Sequence, residues 1–307
     1  MNMTFMSPLK PAALQPGATI GIVAPASTFQ RDELEQGLGA LRNMGFGIRL
    51  AEGLFDVRGF LAGEDHRRAA QLIAMFLDPA VDAVICARGG YGCLRILPLL
   101  DFDLIRAHAK PFVGFSDITA LHHAFFMKTG MVTFHGPVVC TLGKDADLSR
   151  SALRQALCGQ LPQALAVNLR SILPGMAEGR LAGGNLTTLC HLLGTPFAPL
   201  FDGCILFIED RGEALYRIDR MLTQMKLSGC FDGLAGIILG SFKDCGAEAD
   251  ICNLVTQLFE ERDIPIMAGL PAGHAESNLT LPLGINVRLD ADKGELILLE
   301  SATTWRG

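Results

Sequence analysis

The sequence contains no apolar run long enough to cross a membrane and no cluster of basic residues. A spanning helix needs about 20 consecutive apolar residues, whereas the apolar residues here come in short blocks such as 81–87 and 204–208. The net charge is −6, and lysine and arginine occur in runs of two at most. We therefore expect no membrane span and no nucleic-acid partner, since nucleic-acid-binding domains normally carry a basic surface.

Motifs for metals and nucleotides are also missing. There is no H-E-x-x-H motif, no Cys/His spacing that suits zinc, no G-x-G-x-x-G and no G-x-x-x-x-G-K-[ST]. The nine cysteines include no Cys-x-x-Cys pair and lie mostly within apolar runs. These absences predict a protein without a cofactor or metal, with its cysteines as small buried side chains in a reducing compartment. Residues 1–19 lack the apolar core of a secretory signal, so we expect a cytoplasmic protein.

The first half of the chain alternates short apolar runs, which predict strands, with segments of helical periodicity. The predicted strands and helices lie at 18–24, 32–44, 64–77, 81–87, 93–106, 111–115 and 117–128. Gly130 is the expected end signal of the last of these helices. Such alternation is typical of a mostly parallel sheet flanked by helices, which places the chain in the α/β class.

The chain becomes more polar between 141 and 178 and carries no strong strand signal there, although a helix is predicted near 148–158. We predict a linker over 141–178, an N-terminal α/β domain over 1–140 and a smaller C-terminal α/β domain over 179–307. The predicted strands and helices of the C-terminal domain lie at 204–209, 214–227, 234–240, 247–262, 265–269 and 285–289.

Ser116 lies in a Gly-Phe-Ser-Asp segment between a predicted strand and a predicted helix. Open α/β sheets bind ligands at the carboxyl ends of their strands, and a helix N-terminus stabilises an oxyanion. A serine at this position is therefore a candidate nucleophile, but serine is also a common helix N-cap. Position 118 is isoleucine, so the segment is not the G-x-S-x-G elbow of α/β-hydrolases. The local motif leaves both interpretations open.

Three other segments offer partners for a nucleophilic serine. The loop Arg88-Gly-Gly-Tyr-Gly92 follows a predicted strand, where glycines allow backbone N–H groups to approach an anion. Glu209 ends the strand 204–208, with Asp210 as a competing acid that could instead cap the next helix. His274 lies in a glycine-rich loop after a predicted strand, a setting suited to a mobile acid or base. His122 and His123 lie inside a predicted helix and are expected in the core or a groove.

Six blocks spread along the chain resemble the LD-carboxypeptidases, the family of murein tetrapeptide carboxypeptidases and microcin-immunity peptidases. They read GIVAPAS at 21–27, CARGGYG at 86–92, KPFVGFSDITALH at 110–122, GGNLTTL at 183–189, LFIEDRGEALYRIDRML at 206–222 and GLPAGHAESNLTLPLG at 269–284. Each block alone is weak evidence, but six blocks in order along one chain indicate the family.

The resemblance implies a catalytic triad of Ser116, Glu209 and His274, with the glutamate favoured over Asp210. It also implies an oxyanion hole, which we assign to the backbone N–H groups of Gly90 and Asp117. The implied substrate is a small murein peptide that ends in D-alanine, and the implied assembly is a homodimer. The candidate substrate-binding residues are Arg88, for the free carboxylate, with Tyr91 and Asn185.

Three alternatives to murein recycling stay open. The first is an immunity peptidase that cleaves a microcin-like peptidyl-nucleotide; the only tryptophan, Trp305, is a poor candidate for the aromatic residue of those relatives, although a tyrosine or phenylalanine could replace it. The second is a peptide-binding protein without turnover. The third is a cysteine hydrolase that uses Cys86 or Cys93, neither of which lies at a strand-to-helix turn.

Overall fold

The computed structural model describes residues 6–305. The helices are α1 (Arg31–Asn43), α2 (Asp65–Leu77), α3 (Cys93–Ile96), α4 (Phe102–Ala107), α5 (Thr119–Thr129), α6 (Val139–Leu142), α7 (Asp147–Leu157), α8 (Leu186–His191), α9 (Leu215–Leu227) and α10 (Glu248–Phe259). The strands are β1 (Thr19–Val23), β2 (Gly47–Leu50), β3 (Ala83–Cys86), β4 (Phe112–Gly114), β5 (Thr133–His135), β6 (Ala164–Ala166), β7 (Arg170–Leu173), β8 (Met176–Asn185), β9 (Cys204–Arg211), β10 (Gly236–Lys243), β11 (Ile266–Ala268), β12 (Leu281–Leu283), β13 (Asn286–Asp290) and β14 (Glu295–Leu298). Short 3₁₀ helices lie at Leu97–Leu99, Ser116–Ile118 and Glu260–Arg262.

The described chain divides into two compact units. The N-terminal unit comprises 6–160, 278–282 and 302–305, and the C-terminal unit comprises 161–277 and 283–301. Each unit contains one sheet with helices against it, so the predicted two-domain α/β class is confirmed. The predicted boundaries at 140 and 179 stay a prediction.

The sheet of the N-terminal unit has the strand order β12-β5-β4-β3-β1-β2, and β1 to β5 run parallel. Its inner strands are largely apolar because helices cover them; β3 and β4, for example, are buried at every position, whereas the edge strand β2 is partly exposed. Phe112 of β4 packs on Phe125 of α5 with ring centroids 5.0 Å apart and on Phe76 of α2 at 6.1 Å. Burial of each such side chain stabilises the fold by about 1.5–3 kcal/mol. This core holds β4 and α5, the elements on either side of Ser116, in place.

The sheet of the C-terminal unit has the order β6-β14-β13-β8-β9-β10-β11-β7. Its central strands β8 to β11 are parallel, and the outer strands pair antiparallel. Glu209 therefore lies near the carboxyl end of a central parallel strand, β9, where it is buried.

The sequence shows no strong strand signal over 141–178, but the structure contains strands there. The helix expected there is present as α7, but β6, β7 and the first residues of β8 lie in the same segment. β6 and β7 are the two edge strands of their sheet, and they are short and partly exposed. Edge strands need few apolar residues, which explains why the sequence pattern did not show them.

No helix within residues 6–305 is long and apolar enough to span a membrane. The expectation about a secretory signal in 1–19 rests partly on residues 1–5, which lie outside the described residues. Gly130 ends α5 in a left-handed conformation, with φ of 69°, as predicted.

Candidate functional site

Ser116 lies directly after β4 and begins the 3₁₀ turn that leads into α5. Its φ is +65°, a left-handed conformation that costs a residue with a Cβ about 1–2 kcal/mol. The N-cap positions of the 3₁₀ turn and of α5 are Phe115 and Ile118, so the interpretation of Ser116 as an N-cap is wrong. Strain of this kind concentrates at functional sites, where the surrounding structure enforces it. The backbone thus presents the Ser116 hydroxyl at the carboxyl edge of the sheet.

The loop 88–92 lies against Ser116. A Cβ placed on Gly89 would lie 2.9 Å from Ser116 Cβ and 3.3 Å from Ser116 Oγ, so only glycine allows this approach. Gly90 has φ of +102°, and a Cβ there would lie 2.5 Å from Ser27 Oγ. The Gly90 N–H makes no hydrogen bond to any residue in 6–305. A backbone donor without a protein partner, next to a serine, has the chemistry of an oxyanion-hole group.

Two polar side chains fix this loop. The Ser27 hydroxyl accepts a hydrogen bond from Tyr91 N (3.0 Å), and Ser27 N donates to Gly89 O (3.3 Å). The buried carboxylate of Asp117 accepts from Cys93 N at 2.8 Å, at the start of α3. The side chain of Asp117 therefore anchors the end of the loop next to Ser116. Its backbone N–H is the predicted second oxyanion donor.

Three buried titratable residues of the N-terminal unit are Cys86, Cys93 and His122. Burial raises the pKa of the thiols of Cys86 and Cys93 well above the usual value, so neither supplies a thiolate near neutral pH. This argues against the cysteine-hydrolase alternative. Burial lowers the pKa of His122 to about 4, and its neutral ring bonds Gly114 O through Nε2 (2.8 Å) and Thr133 Oγ1 through Nδ1 (2.9 Å). His122 thus supports the end of β4, and its burial confirms the sequence expectation.

Glu209 and His274 form a hydrogen-bonded pair in the C-terminal unit. Oε2 of the fully buried Glu209 accepts from His274 Nδ1 at 2.7 Å and from His274 N at 3.2 Å. Because a carboxylate only accepts, Nδ1 carries the proton and Nε2 is left as the basic nitrogen. Gly273, with φ of +104°, makes this fit possible: a Cβ there would lie 2.4 Å from Glu209 Oε2. The pair has the geometry of a general base and its orienting acid.

Asp210, the competing acid, has a different set of partners. Its carboxylate accepts from Asn185 Nδ2 (3.0 Å), Thr187 N (2.9 Å) and Thr187 Oγ1 (2.7 Å), so it holds the turn between β8 and α8. The idea that Asp210 caps α9 is wrong, since Ala214 is the residue at that cap. Glu209 and Asp210 are therefore distinguished by their hydrogen-bond partners. Strand alternation alone could not distinguish them.

The three candidate substrate-binding residues differ in their surroundings. Arg88 is exposed and has no ion pair or hydrogen bond within the described residues, so it is available to a carboxylate. Tyr91 is 48% exposed, and its ring lies 5.6 Å from the ring of Phe60, itself 61% exposed. Asn185 caps α8 through its side-chain oxygen and donates to Asp210, which gives it a structural role. All three assignments stay predictions.

Sequence reasoning missed several residues that shape these regions. Ser27 and Gly273 lie inside the quoted blocks, and the steric fit that each makes is visible only in three dimensions. Phe60 lies in a loop with no motif. Arg68 reads as a surface residue of α2 but is fully buried. No periodicity or spacing signal distinguishes these positions.

Family models match both units. A model described as the LD-carboxypeptidase N-terminal domain matches residues 20–136, and one described as the LD-carboxypeptidase C-terminal domain matches residues 178–289. The chain therefore belongs to the LD-carboxypeptidase family and is a serine-type peptidase of that class.

Named relatives fall into two groups. A Bacillus subtilis protein that carries the name "Probable murein peptide carboxypeptidase" is 39% identical over 97% of both chains. The murein tetrapeptide carboxypeptidase of Pseudomonas aeruginosa is 34% identical, with 89% of this chain and 94% of that protein covered. The microcin C7 self-immunity protein of Escherichia coli is 29% identical over 95% of this chain and 96% of that protein. A structure of the immunity protein with glutamyl sulfamoyl guanosine superposes with a TM-score of 0.88, 26% identity and coverage of 97% and 100%.

Proposed function

We propose that this protein is a cytoplasmic murein-recycling enzyme that removes the terminal D-alanine from murein tetrapeptides. The observation that carries the proposal is the Glu209–His274 pair, which leaves a basic Nε2. The strained Ser116 beside an unpaired backbone donor supplies the matching nucleophile. The names of the murein carboxypeptidase relatives support the substrate class. We further expect a homodimer, which light scattering on the purified protein would test.

The proposed mechanism assigns one role to each group. His274 Nε2 takes the proton of the Ser116 hydroxyl as its oxygen attacks the carbonyl of the L,D peptide bond. Glu209 holds the imidazole in this tautomer and stabilises the imidazolium that forms. The N–H groups of Gly90 and Asp117 stabilise the oxyanion, and His274 then protonates the leaving amine of D-alanine. Water hydrolyses the acyl-enzyme through the same base and releases the tripeptide.

A carboxypeptidase must bind the free carboxylate of its substrate. Arg88 precedes the glycines that lie against Ser116, is exposed, and has no anionic partner within 6–305. A guanidinium binds a carboxylate with two parallel hydrogen bonds, which also orients the C-terminal residue. We therefore assign the D-alanine carboxylate to Arg88. Tyr91 and Asn185 are the further substrate contacts in this proposal.

The second candidate is hydrolysis of a microcin-like peptidyl-nucleotide. The observation that favours it is the exposed ring pair of Phe60 and Tyr91 on the nucleophile side of the N-terminal unit. Aromatic rings of this kind stack on nucleobases, so they could replace the aromatic residue that the sequence did not supply. Trp305, the only tryptophan, is 68% exposed and lies far along the chain from both catalytic segments.

The deciding experiment measures D-alanine release from L-Ala-γ-D-Glu-meso-diaminopimelate-D-Ala in the presence of EDTA. Ser116→Ala and the matched control Ser151→Ala, an exposed serine of α7, are assayed in parallel. Release by wild type and by S151A, lost in S116A, supports a metal-independent serine carboxypeptidase. Hydrolysis of an aspartyl sulfamoyl adenosine and not of the tetrapeptide would establish the second candidate. Tight binding of the tetrapeptide without any hydrolysis would identify a binding protein instead.

A further inference from the structure

Arg68, on α2, is fully buried although arginine is almost never buried without partners. Its Nη1 donates to Pro25 O and, at 3.0 Å, to Gly92 O. Its Nη2 donates to Asp65, one turn earlier on the same helix. Pro25 follows β1 and Gly92 ends the loop after β3, so a single guanidinium joins the two loops at the carboxyl ends of neighbouring parallel strands.

Asp65, which accepts a hydrogen bond from this guanidinium, is itself held by a second arginine, Arg95. Asp65 accepts the single Nε–H of Arg95, shared between its two oxygens at 3.0 Å each, and a hydrogen bond from Arg95 Nη2 at 2.7 Å. The hydrogen bonds from Arg95, together with those from Arg68, lower the pKa of Asp65, so the carboxylate stays charged. Gly92 has φ of +134°, and a Cβ there would lie 2.8 Å from Arg68 Nη1. The guanidinium therefore packs so closely against the loop that position 92 has no space for a side chain.

Burying a guanidinium costs several kcal/mol unless its donors are satisfied. A methionine or leucine would fill the same space at lower cost, so a buried arginine here calls for a reason beyond stability. Its two backbone acceptors belong to the loop that carries the Gly90 N–H and to the loop that carries Ser27. The contact thus bears on the geometry of the loop that lies against Ser116.

We propose that Arg68 is a positioning residue for catalysis: it holds the loop 88–92 where the Gly90 N–H can stabilise the oxyanion. This inference rests on the proposed function. Removing an oxyanion donor outright costs roughly 10²–10³-fold in kcat. A displaced donor should cost less. We expect Arg68→Lys, which replaces the two separate donor nitrogens Nη1 and Nη2 with one ammonium nitrogen, to lower kcat about 10- to 100-fold with KM changed less than about threefold.

The experiment compares wild type, Arg68→Lys and Arg67→Lys on whichever of the two proposed substrates wild type hydrolyses. Arg67 is the neighbouring residue on α2, but its side chain is 63% exposed and pairs with Asp56, so R67K should match wild type. Calorimetry then measures substrate Kd in Ser116→Ala with and without R68K. A lower kcat with an unchanged Kd supports positioning, because a general disturbance of the fold would weaken substrate binding as well as lower kcat.

Two results with R68K, and one with Asp65→Asn, would overturn the inference. The first is unchanged kcat in a folded R68K variant, even with a lower Tm. The second is a Kd that weakens as much as kcat/KM falls, which would make Arg68 a substrate-binding residue.

If R68K does not fold, Asp65→Asn decides, since it loosens the same guanidinium from a partly exposed site. A kcat lowered about three- to tenfold supports the inference, and an unchanged kcat contradicts it. Absence of hydrolysis by wild type contradicts the proposed function instead.

Discussion

The region around Ser116 in the N-terminal unit, the proposed nucleophile region, and the Glu209–His274 pair of the C-terminal unit are held in place by different means. Around Ser116, the loop 88–92 is fixed at several points by Ser27, Arg68 and Asp117, and the serine backbone itself is strained. In the C-terminal unit, one oxygen of Glu209 holds both the ring and the backbone N–H of His274. The other oxygen, Oε1, is buried and has no hydrogen-bond partner among the described residues.

This difference predicts how each region responds to substitution. A loop with several independent contacts should lose activity in steps as single contacts are removed. Because one carboxylate oxygen holds both the ring and the backbone N–H of His274, its loss should remove both contacts in a single step. An unsatisfied buried carboxylate oxygen is also costly, which indicates that Glu209 is retained for its effect on His274 and not for stability.

The largest effect is expected for Glu209→Gln. The amide carries no negative charge to stabilise the imidazolium, and its NH2 group can turn toward His274 Nδ1 and favour the wrong tautomer. We expect kcat to fall roughly 10³–10⁴-fold while the protein stays folded. Steady-state kinetics with circular dichroism would measure both. Glu178→Gln, an exposed acid of the same unit paired with Arg288, is the matched control and should leave kcat unchanged. A loss of less than tenfold in E209Q would contradict the orienting role of Glu209.

A smaller effect is expected for Gly273→Ala. The new Cβ would lie 2.4 Å from Glu209 Oε2 at a φ of +104°, so the loop must shift and the His274 hydrogen bond must lengthen. We expect kcat to fall about 10- to 100-fold, as for a misplaced catalytic group. Gly269→Ala is a sharp control, because Gly269 has a φ of +91° with nothing within 4 Å of the added Cβ. That variant should lose stability without the loss of kcat. Equal kinetic losses in both variants would show that backbone strain, and not the contact with Glu209, is responsible.

Sequence patterns predicted the parts of the fold that are buried on both faces. β1, β3, β4, β9 and β10 form continuous apolar runs and were predicted. The missed strands are β2, β5, β6, β7, β8, β12 and β14. β2, β6, β7 and β14 are only partly buried, β5 and β12 have three residues each, and β8 carries glycines and charged residues in place of an apolar run. An apolar run of sufficient length, more than a central place in the sheet, therefore decides which strands a sequence pattern predicts.

For the site, the sequence placed Ser116 at a strand-to-helix turn and His274 in a glycine loop, and the structure agrees on both settings. It could not separate Glu209 from Asp210 by alternation, since β9 continues to Arg211 and both acids are buried. It could not find Arg68, because helical periodicity does not tell a buried guanidinium from an exposed one. These distinctions depend on hydrogen-bond partners that are distant in sequence.

The N-terminal unit should also be the more acid-sensitive one, because burial lowers the pKa of both His122 and His123 to about 4. Their pKa in the unfolded chain is near 6.5, so between about pH 6.5 and 4 the unfolded chain binds more protons than the folded one. Stability therefore falls as pH falls through this window, by about 2 kcal/mol per histidine at pH 5. Urea unfolding of wild type and His123→Leu at pH 7 and pH 5 would measure it. The variant should lose less stability on acidification, whereas His108→Gln, at an exposed position, should behave like wild type. An equal acid-induced loss in all three proteins would contradict the assignment.

The smallest effect tests the strain at Ser116 apart from its chemistry. Alanine keeps the Cβ that the φ of +65° disfavours, whereas glycine removes it. Both variants lack the hydroxyl and should be inactive, so any difference between them reports on the backbone alone. We expect Ser116→Gly to be more stable than Ser116→Ala by about 1 kcal/mol in urea unfolding. At Ser151, in the regular helix α7, the order should reverse, with glycine less stable than alanine by about 1 kcal/mol. If glycine were the less stable substitution at both positions, the backbone of Ser116 would not be strained. The region around Ser116 would then be held only by the contacts of loop 88–92.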